Sequence, residues 1–257
     1  MNIIIVATIA SFACFCCLSF KTFMMQAETQ IIAHRGYWQT EPPTAKNSLQ
    51  ALENAQKLNI YGTEFDVRMS KDGVLVIKHD ENHGTMKISE TNFDDLEKQK
   101  LENGENIPTL KNYLEKGKKN PTLKLIIELK PIKSETKEDD LVRKTIQTVK
   151  ELKLESQTEF ISFSLNICEQ IKKLEPTFKV HYLKGDLSPL EIKEKKLDGL
   201  DYDYSVFLKH PTWISQAKTL GLITNSWTVN DVEIFEKLKK QGIDFITTDI
   251  PDQLMNR

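Results

Sequence analysis

The chain has 257 residues, 39% hydrophobic and 28% charged, which is enough for a sizeable core in one large domain or two small ones. Glycine and proline number only 10 and 9, and no low-complexity tract is present, so fibrous folds and bulk disorder are excluded. The formal net charge of −2 gives no electrostatic case for a nucleic-acid partner.

Residues 3–20 form an uncharged, apolar stretch at the N-terminus, and Lys21 follows it. Such a segment, ending near a small residue, predicts a signal peptide over residues 1–27 with cleavage after Ala27. A retained membrane anchor is the main alternative, because 18 apolar residues approach the length of a membrane span. Lipidation of a cysteine in this segment is a further alternative. We therefore expect an exported protein, periplasmic or extracellular, that contacts a membrane stably only if residues 1–27 are retained.

Three of the four cysteines, Cys14, Cys16 and Cys17, lie in that N-terminal segment, and Cys168 is alone. Cleavage would leave one cysteine, so we expect no intramolecular disulfide. The stability of the remaining chain must then come from packing.

From residue 30 onward, short runs rich in Val, Ile, Phe and Tyr alternate with charged stretches of helical period. The predicted strands are 30–34, 62–67, 123–129, 159–163, 179–183, 199–203, 222–228 and 245–248. The predicted helices are 48–58, 141–152, 166–174, 189–195, 212–220 and 232–241. This alternation predicts an α/β fold, a (β/α)8 TIM barrel over residues 28–257. A doubly wound open sheet is the alternative, because periodicity alone does not report closure.

One hairpin interrupts the alternation after the second strand. Lys71, Asp72 and Gly73 form a turn signal, and residues 74–78 predict an additional strand that folds back and brings His79 near the second strand's end. Residues 80–122 are the longest connection, in which 107–110 opens a helix. No linker marks a second domain.

Acidic side chains fall near the carboxyl ends of the second and third strands, where TIM barrels form their active sites. Glu64 and Asp66 are two residues apart on a strand, so both point to the same face. Glu128 adds a third carboxylate on the adjacent strand. An oxygen-rich set of this kind favours one divalent cation, Mg²⁺ or Ca²⁺, over zinc. The alternative is that Glu64 and Asp66 are an exposed pair at a sheet edge.

Histidines and cations accompany these carboxylates. His34 and His79 fall at predicted strand ends, and two histidines can serve as general acid and base. Arg35 offers a planar fork suited to phosphate, and Lys130 adds a second positive charge. Together they predict a site that cleaves phosphoesters. The three other histidines are interpreted as structural: His83, His181 and His210.

The ordered set of short motifs resembles the glycerophosphodiester phosphodiesterase family over residues 31–251. The motifs are His34-Arg35-Gly36, Glu64-x-Asp66, Asp72-Gly73 before His79-Asp80, Ile107 to Leu110, Glu128-x-Lys130, Ser162-Phe163, Trp227 to Asn230, and Thr248-Asp249 with Pro251. The resemblance implies a TIM barrel with a small insertion after the second strand.

The same resemblance implies metal-dependent hydrolysis of small-molecule glycerophosphodiesters to glycerol phosphate and an alcohol. By position, His34 and His79 would be the acid–base pair. The metal ligands would be Glu64, Asp66 and Glu128, and the substrate-binding residues would be Arg35, Lys130 and Trp227. The sequence departs from the family's usual Pro-Glu-Asn-Thr at residues 45–48, where Lys46 replaces the acidic residue. This departure puts the preferred alcohol in doubt more than the chemistry.

Two alternatives are kept beside this interpretation. A lysophospholipase D or another phosphodiester hydrolase or lyase would use the same site. A non-catalytic barrel that binds glycerophosphodiesters would tolerate loss of a histidine or carboxylate, and here all are present. The sequence does not distinguish Ca²⁺ from Mg²⁺, assign acid and base between the histidines, or give the oligomeric state.

Overall fold

A computed structural model describes residues 28–257, so the predicted signal peptide at residues 1–27 lies outside the described residues. The strands in chain order are β1 (Gln30–Ala33), β2 (Gly62–Met69), β3 (Leu75–Ile77), β4 (Asn82–His83), β5 (Met86–Lys87), β6 (Lys124–Leu129), β7 (Thr158–Ser162), β8 (Val180–Tyr182), β9 (Gly199–Asp203), β10 (Ile223–Trp227) and β11 (Phe245–Thr248). Strands β1, β2 and β6 to β11 pair in parallel, and β1 pairs with both β2 and β11. This double pairing closes the barrel, which confirms the predicted TIM barrel and excludes the open sheet.

Helices lie between successive barrel strands. They are α1 (Leu49–Ala55), α2 (Phe93–Leu96), α3 (Leu110–Gly117), α4 (Glu135–Glu151), α5 (Leu165–Leu174), α6 (Pro189–Glu194), α7 (Tyr204–Lys209), α8 (Trp213–Thr219), α9 (Val232–Gln241) and α10 (Pro251–Leu254). The predicted bounds of α4 were wrong at the N-terminus, because the helix begins at Glu135 and not at residue 141. The Ser134 side chain accepts a hydrogen bond from the Lys137 amide, and this cap starts the helix before its apolar stripe begins.

The predicted hairpin after β2 is present. Strand β3 pairs antiparallel with β2, and Gly73 takes the positive φ of 84° that the connecting turn requires. The Lys78 amide then donates to the Asp66 carbonyl at 3.0 Å, which holds His79 beside the end of β2. The hairpin therefore delivers a residue from outside the barrel to the barrel mouth.

Alternation along the strands separates two environments. On β2, Phe65 and Val67 are fully buried against the helices, and Phe65 contacts the Tyr113 ring of α3 at a centroid distance of 4.3 Å. Their neighbours Glu64 and Asp66 face the barrel interior, whose floor is apolar. Burying a large apolar side chain stabilises a fold by about 1.5–3 kcal/mol, so the outward faces hold the inward carboxylates in place.

Within residues 28–257, no helix combines the length and the apolar character needed to cross a membrane.

The start of α1 positions the loop that follows β1, and Glu105 supports that start from a distant part of the chain. Its carboxylate accepts hydrogen bonds from the Leu49 and Gln50 amides at 3.0 and 3.2 Å. We expect Glu105→Ala to lower the free energy of unfolding by about 1 kcal/mol, as loss of a helix cap does. Urea unfolding measures this, with exposed Glu102→Ala as the matched control. Equal effects of the two substitutions would contradict the role of Glu105.

Candidate active site

Three carboxylates lie together at the carboxyl ends of β2 and β6. Glu64, Asp66 and Glu128 are 3%, 1% and 7% exposed, and each offers a ligand oxygen within 4.8 Å of the others. Asp66 and Glu128 are register partners on adjacent strands, which explains their proximity. Their burial excludes the alternative of an exposed acidic pair at a sheet edge.

The three carboxylates of this cluster repel one another, and the positive side chains nearby do not fully offset that repulsion. Burial and repulsion from Asp66 raise the pKa of Glu64 well above its usual value, and the same two causes raise the pKa of Glu128 to about 8. Although burial opposes it, attraction to Lys130 and Arg35 lowers the pKa of Asp66. A divalent cation would relieve the repulsion that remains.

The donor set fits such a cation. The Glu64 Oε1 atom has no hydrogen-bond partner among residues 28–257 although it is buried. All three ligand groups are hard oxygen donors, which suit Mg²⁺ and Ca²⁺. Each of the three residues predicted as a metal ligand is therefore brought into one cluster.

Two positively charged side chains, those of Lys130 and Arg35, contact the carboxylates. Lys130 Nζ lies 2.6 Å from an oxygen of both Asp66 and Glu128 and is 7% exposed. Arg35 Nε lies 3.4 Å from Asp66 Oδ2, and the Arg35 amide donates to Glu64 Oε2 at 2.9 Å. The structure thus places Arg35 and Lys130 on opposite sides of Asp66, in contact with the acidic cluster.

The loop after β1 takes an unusual backbone path to make these contacts. Arg35, Gly36 and Asn47 all have positive φ, at 57°, 80° and 63°. A Cβ on Gly36 would lie 2.7 Å from the Ala51 Cβ, so only glycine permits α1 to approach this closely.

Asn47 precedes the start of α1, and its side chain contacts Asp66 and not the helix. Ser48 caps α1, and its hydroxyl accepts from the Ala51 amide. The Asn47 side chain instead donates to Asp66 Oδ2 at 2.7 Å and accepts from the Asp66 amide. Asn47 therefore orients the Asp66 carboxylate. Its backbone is left-handed, a conformation that Asn tolerates better than most other residues.

His34 is held by a carboxylate, Asp249, that the sequence placed in a motif but gave no role. Its Nδ1 lies 2.8 Å from Asp249 Oδ1, and its Nε2 lies 4.0 Å from Glu64 Oε2. Asp249 also accepts from Trp38 Nε1 and from the Asn230 side chain. Although burial opposes it, the bond to His34 lowers the pKa of Asp249 to about 2. An ionised Asp249 fixes the His34 ring with Nε2 toward the acidic cluster.

His79 has a similar but more exposed partner. Its Nδ1 lies 2.9 Å from Asp80 Oδ1, and the His79 side chain is 40% exposed. Burial and the nearby Lys130 lower the pKa of His79. The imidazole is therefore neutral near pH 7, when it can accept a proton.

A small cavity of about 100 Å³ connects these groups with the apolar interior of the barrel. His34, His79 and Lys130 line one side, and Trp227 and Phe163 line the other, with their rings edge to face at a centroid distance of 5.5 Å. The predicted substrate residue Trp227 is thus brought to the site. Its indole Nε1 donates to the Asp201 carbonyl at 2.9 Å, which fixes the ring.

Asp201 lines the same cavity and was missed by sequence reasoning. It is 1% exposed, and its Oδ1 has no hydrogen-bond partner among residues 28–257. Burial raises the pKa of Asp201 to about 7, with a hydrogen bond from Asn225 opposing the rise. The only sequence signal was its inward position on β9.

The remaining histidines pack elsewhere. His83 Nε2 lies 2.9 Å from the Gln99 carbonyl, His181 is buried in β8, and His210 stacks on Trp213 at a centroid distance of 4.1 Å. Lys46, which departs from the family motif, lies over the Trp38 ring at 4.2 Å. This contact places a positive charge beside the mouth.

A model of the glycerophosphoryl diester phosphodiesterase family matches residues 34–253. A glycerophosphodiester phosphodiesterase of Caldanaerobacter subterraneus is 28% identical over 244 residues, covering 89% of this chain and 97% of the relative.

Two solved structures share the fold. A glycerophosphodiester phosphodiesterase from Parabacteroides distasonis is 43% identical with a TM-score of 0.86, covering 88% of this chain and 94% of that one. A phosphodiesterase from Oleispira antarctica, in complex with the product sn-glycerol-3-phosphate, is 25% identical with a TM-score of 0.75, covering 89% of this chain and 96% of that one.

The raised pKa of Asp201 has a consequence for stability. The native state holds the proton more tightly than the unfolded chain, so stability falls as pH rises from about 4 to about 7 and is level above that. We expect Asp201→Asn to raise the free energy of unfolding by about 2–4 kcal/mol at pH 8 and by little at pH 4. Denaturant unfolding at both pH values measures this.

Asp94→Asn, an exposed substitution with the same charge change, is the matched control and should stay within about 0.5 kcal/mol of the parent at both pH values. A gain for Asp201→Asn that is equal at the two pH values would contradict the assigned ionisation.

Proposed function

The chain belongs to the glycerophosphoryl diester phosphodiesterase family, and we propose that it hydrolyses glycerophosphodiesters to glycerol phosphate and an alcohol. The observation that carries the proposal is one cavity that joins an acidic cluster, two carboxylate-held histidines and two cations. Phosphodiester cleavage requires charge stabilisation, phosphate binding and proton transfer, and these groups can supply all three.

Glu64, Asp66 and Glu128 would hold one divalent cation, Ca²⁺ or Mg²⁺. When bound, this cation supplies Lewis-acid stabilisation of the charge that develops on the phosphate. Arg35 and Lys130 bind the phosphate oxygens from two sides of the cluster. Both contact Asp66 in the free protein, so the phosphate would replace part of that contact.

The histidines divide the proton transfers. His79, whose pKa is lowered by burial, takes the proton from the attacking oxygen, which belongs to water or to the neighbouring glycerol hydroxyl. Attack by the hydroxyl first gives a cyclic phosphate, and water then opens that ring to glycerol phosphate. His34 donates a proton to the leaving alcohol oxygen, because Asp249 holds its Nδ1 and leaves Nε2 directed toward the cluster where the substrate binds. The P–O bond to that alcohol then breaks.

The inner cavity takes the glycerol half of the substrate. Its volume of about 100 Å³ suits a three-carbon polyol, and Trp227 and Phe163 cover its carbon face. The unpartnered Asp201 Oδ1 accepts a hydrogen bond from a glycerol hydroxyl. The Oleispira antarctica relative, solved with sn-glycerol-3-phosphate, supports this choice of product.

We also propose that residues 1–27 direct export, so that the reaction takes place outside the cytoplasm. The apolar, uncharged character of residues 3–20 supports this. Fractionation of cells that express the full chain tests this proposal. Protein found only in the cytoplasmic fraction would contradict it.

The proposed activity is tested by incubating the purified protein with glycerophosphocholine, glycerophosphoinositol and lysophosphatidylcholine, with Mg²⁺ or Ca²⁺ and with excess EDTA. We expect turnover of the first two substrates that EDTA abolishes and either cation restores. Glu64→Gln should lose activity by about a hundredfold or more, as removal of one charge-stabilising group does. The exposed Glu194→Gln is the matched control.

Faster turnover of lysophosphatidylcholine would favour a lysophospholipase D. Binding without turnover would favour a non-catalytic barrel, and full activity in excess EDTA would overturn the metal site.

The histidine assignment is tested with a leaving group that needs no proton. Against glycerophosphocholine we expect His34→Ala and His79→Ala each to lower kcat/KM by about 10²–10⁴-fold. With glycerophospho-p-nitrophenol as the substrate, His34→Ala should keep most of the parent's kcat/KM, because p-nitrophenolate leaves unprotonated. His79→Ala should still show the full loss with this substrate. The reverse pattern would exchange the two roles.

A further inference from the structure

Strand β2 presents a third charged residue on the face that carries the metal-ligand candidates. Arg68 follows Glu64 and Asp66 at the same two-residue spacing, so it points the same way, one step farther toward the mouth. Its Nε donates to the His79 carbonyl at 2.8 Å. The function proposed above uses none of its remaining donors.

Arg68 opens onto a groove of about 380 Å³ between the β4–β5 hairpin and the start of α4. The groove is lined by five basic side chains and a single acidic one, Glu81, together with two serines. The basic side chains are Arg68, Lys87, Lys130, Lys133 and Lys137. Lys130 lines both this groove and the inner cavity of about 100 Å³, so the two spaces adjoin.

Three of the five basic side chains have no direct ion-pair partner among residues 28–257. Lys130 is paired with the acidic cluster, and Lys87 pairs with Glu90. Across residues 28–257, neither Lys133, Lys137 nor Arg68 has a carboxylate oxygen within ion-pair distance. Like charges that converge without partners repel one another, and an anion that enters the groove removes that cost.

Ser134, which caps the 17-residue helix α4, also bounds the groove and brings a hydroxyl to it. A phosphate here would meet a planar guanidinium, two exposed ammonium groups, and serine hydroxyls that can donate hydrogen bonds.

A second outer space lies on the opposite side of His79, and it is less suited to an anion. Its volume is about 340 Å³, and its three basic side chains face two acidic ones: Arg35, Lys46 and Lys78 against Asp80 and Glu102. Lys46 there is already engaged with the Trp38 ring. The groove beside Arg68 is thus the more strongly basic extension of the site.

Resting on the proposed function, we propose that this groove holds a second phosphate carried by the leaving alcohol. The glycerol half occupies the inner cavity, so the alcohol half extends outward from the cleaved phosphate. The preferred substrates are then glycerophosphodiesters whose alcohol itself carries a phosphate, and not those with a neutral or cationic alcohol such as choline.

The test compares glycerophosphoglycerol with glycerophosphoglycerol phosphate, which differ only in the terminal phosphate. The purified protein should give a higher kcat/KM for the second, and Lys133→Gln/Lys137→Gln should lower the ratio of the two values about tenfold at low salt. Lys218→Gln/Lys240→Gln removes the same charge at the far ends of α8 and α9 and should leave the ratio unchanged. A ratio near one in the parent, or an equal fall in both double variants, would overturn the proposal.

A binding measurement keeps this result separate from the proposed function. In His34→Ala, calorimetry should show tighter binding of glycerophosphoglycerol phosphate, and the groove variant should lose that difference. If the parent turned over neither substrate, the proposed reaction would fail while the difference in binding still supported the groove. Equal affinity for both would overturn the groove. Binding of inorganic phosphate is measured in the same way. If it binds as tightly as glycerophosphoglycerol phosphate, the groove is a site for a free anion, and that result also overturns the proposal.

Discussion

Repulsion among three buried carboxylates is the constraint on which the mouth of this barrel depends. Glu64, Asp66 and Glu128 are held within 4.8 Å of one another by adjacent parallel strands. Burying charged groups without full compensation costs several kcal/mol per ion, so nearby residues must supply positive charge or hydrogen-bond donors. Lys130, Arg35 and Asn47 do so in part, and the repulsion that remains is one that a divalent cation could relieve.

The same constraint explains why the loop after β1 is so specialised. It must turn back sharply enough for the Arg35 amide to reach Glu64 while α1 packs close behind. That geometry requires positive φ at three residues and a glycine where a Cβ would collide with Ala51. The stability that offsets this strain comes from the outward strand faces, such as Phe65 against Tyr113. Catalytic geometry and core packing are thus carried by alternate residues of the same strands.

Charge also divides the site by function. The inner cavity pairs aromatic rings with one unpartnered carboxylate, whereas the groove beside Arg68 is basic and opens outward. A substrate with a polyol at one end and negative charge at the other fits this polarity. Asp201 illustrates the cost, because its raised pKa reports a carboxyl group that folding disfavours when it is ionised. Groups kept at such a cost are typical of binding sites.

Strand alternation and the ordered motifs are local properties, so the sequence alone predicted the alternating strands and helices, the hairpin after β2, and the eight residues expected at the mouth. It placed α4 wrongly at its start, since the cap at Ser134 precedes the apolar stripe that periodicity detects. Asp249 and Asn47 stood in its motifs without the contacts that the fold gives them, and Asp201 and the groove beside Arg68 emerged only from the folded chain. His34 and Asp249 are 215 residues apart, and they meet because β1 pairs with β11 when the barrel closes. Periodicity carries no information about that closure, so contacts across the seam are decided by packing alone.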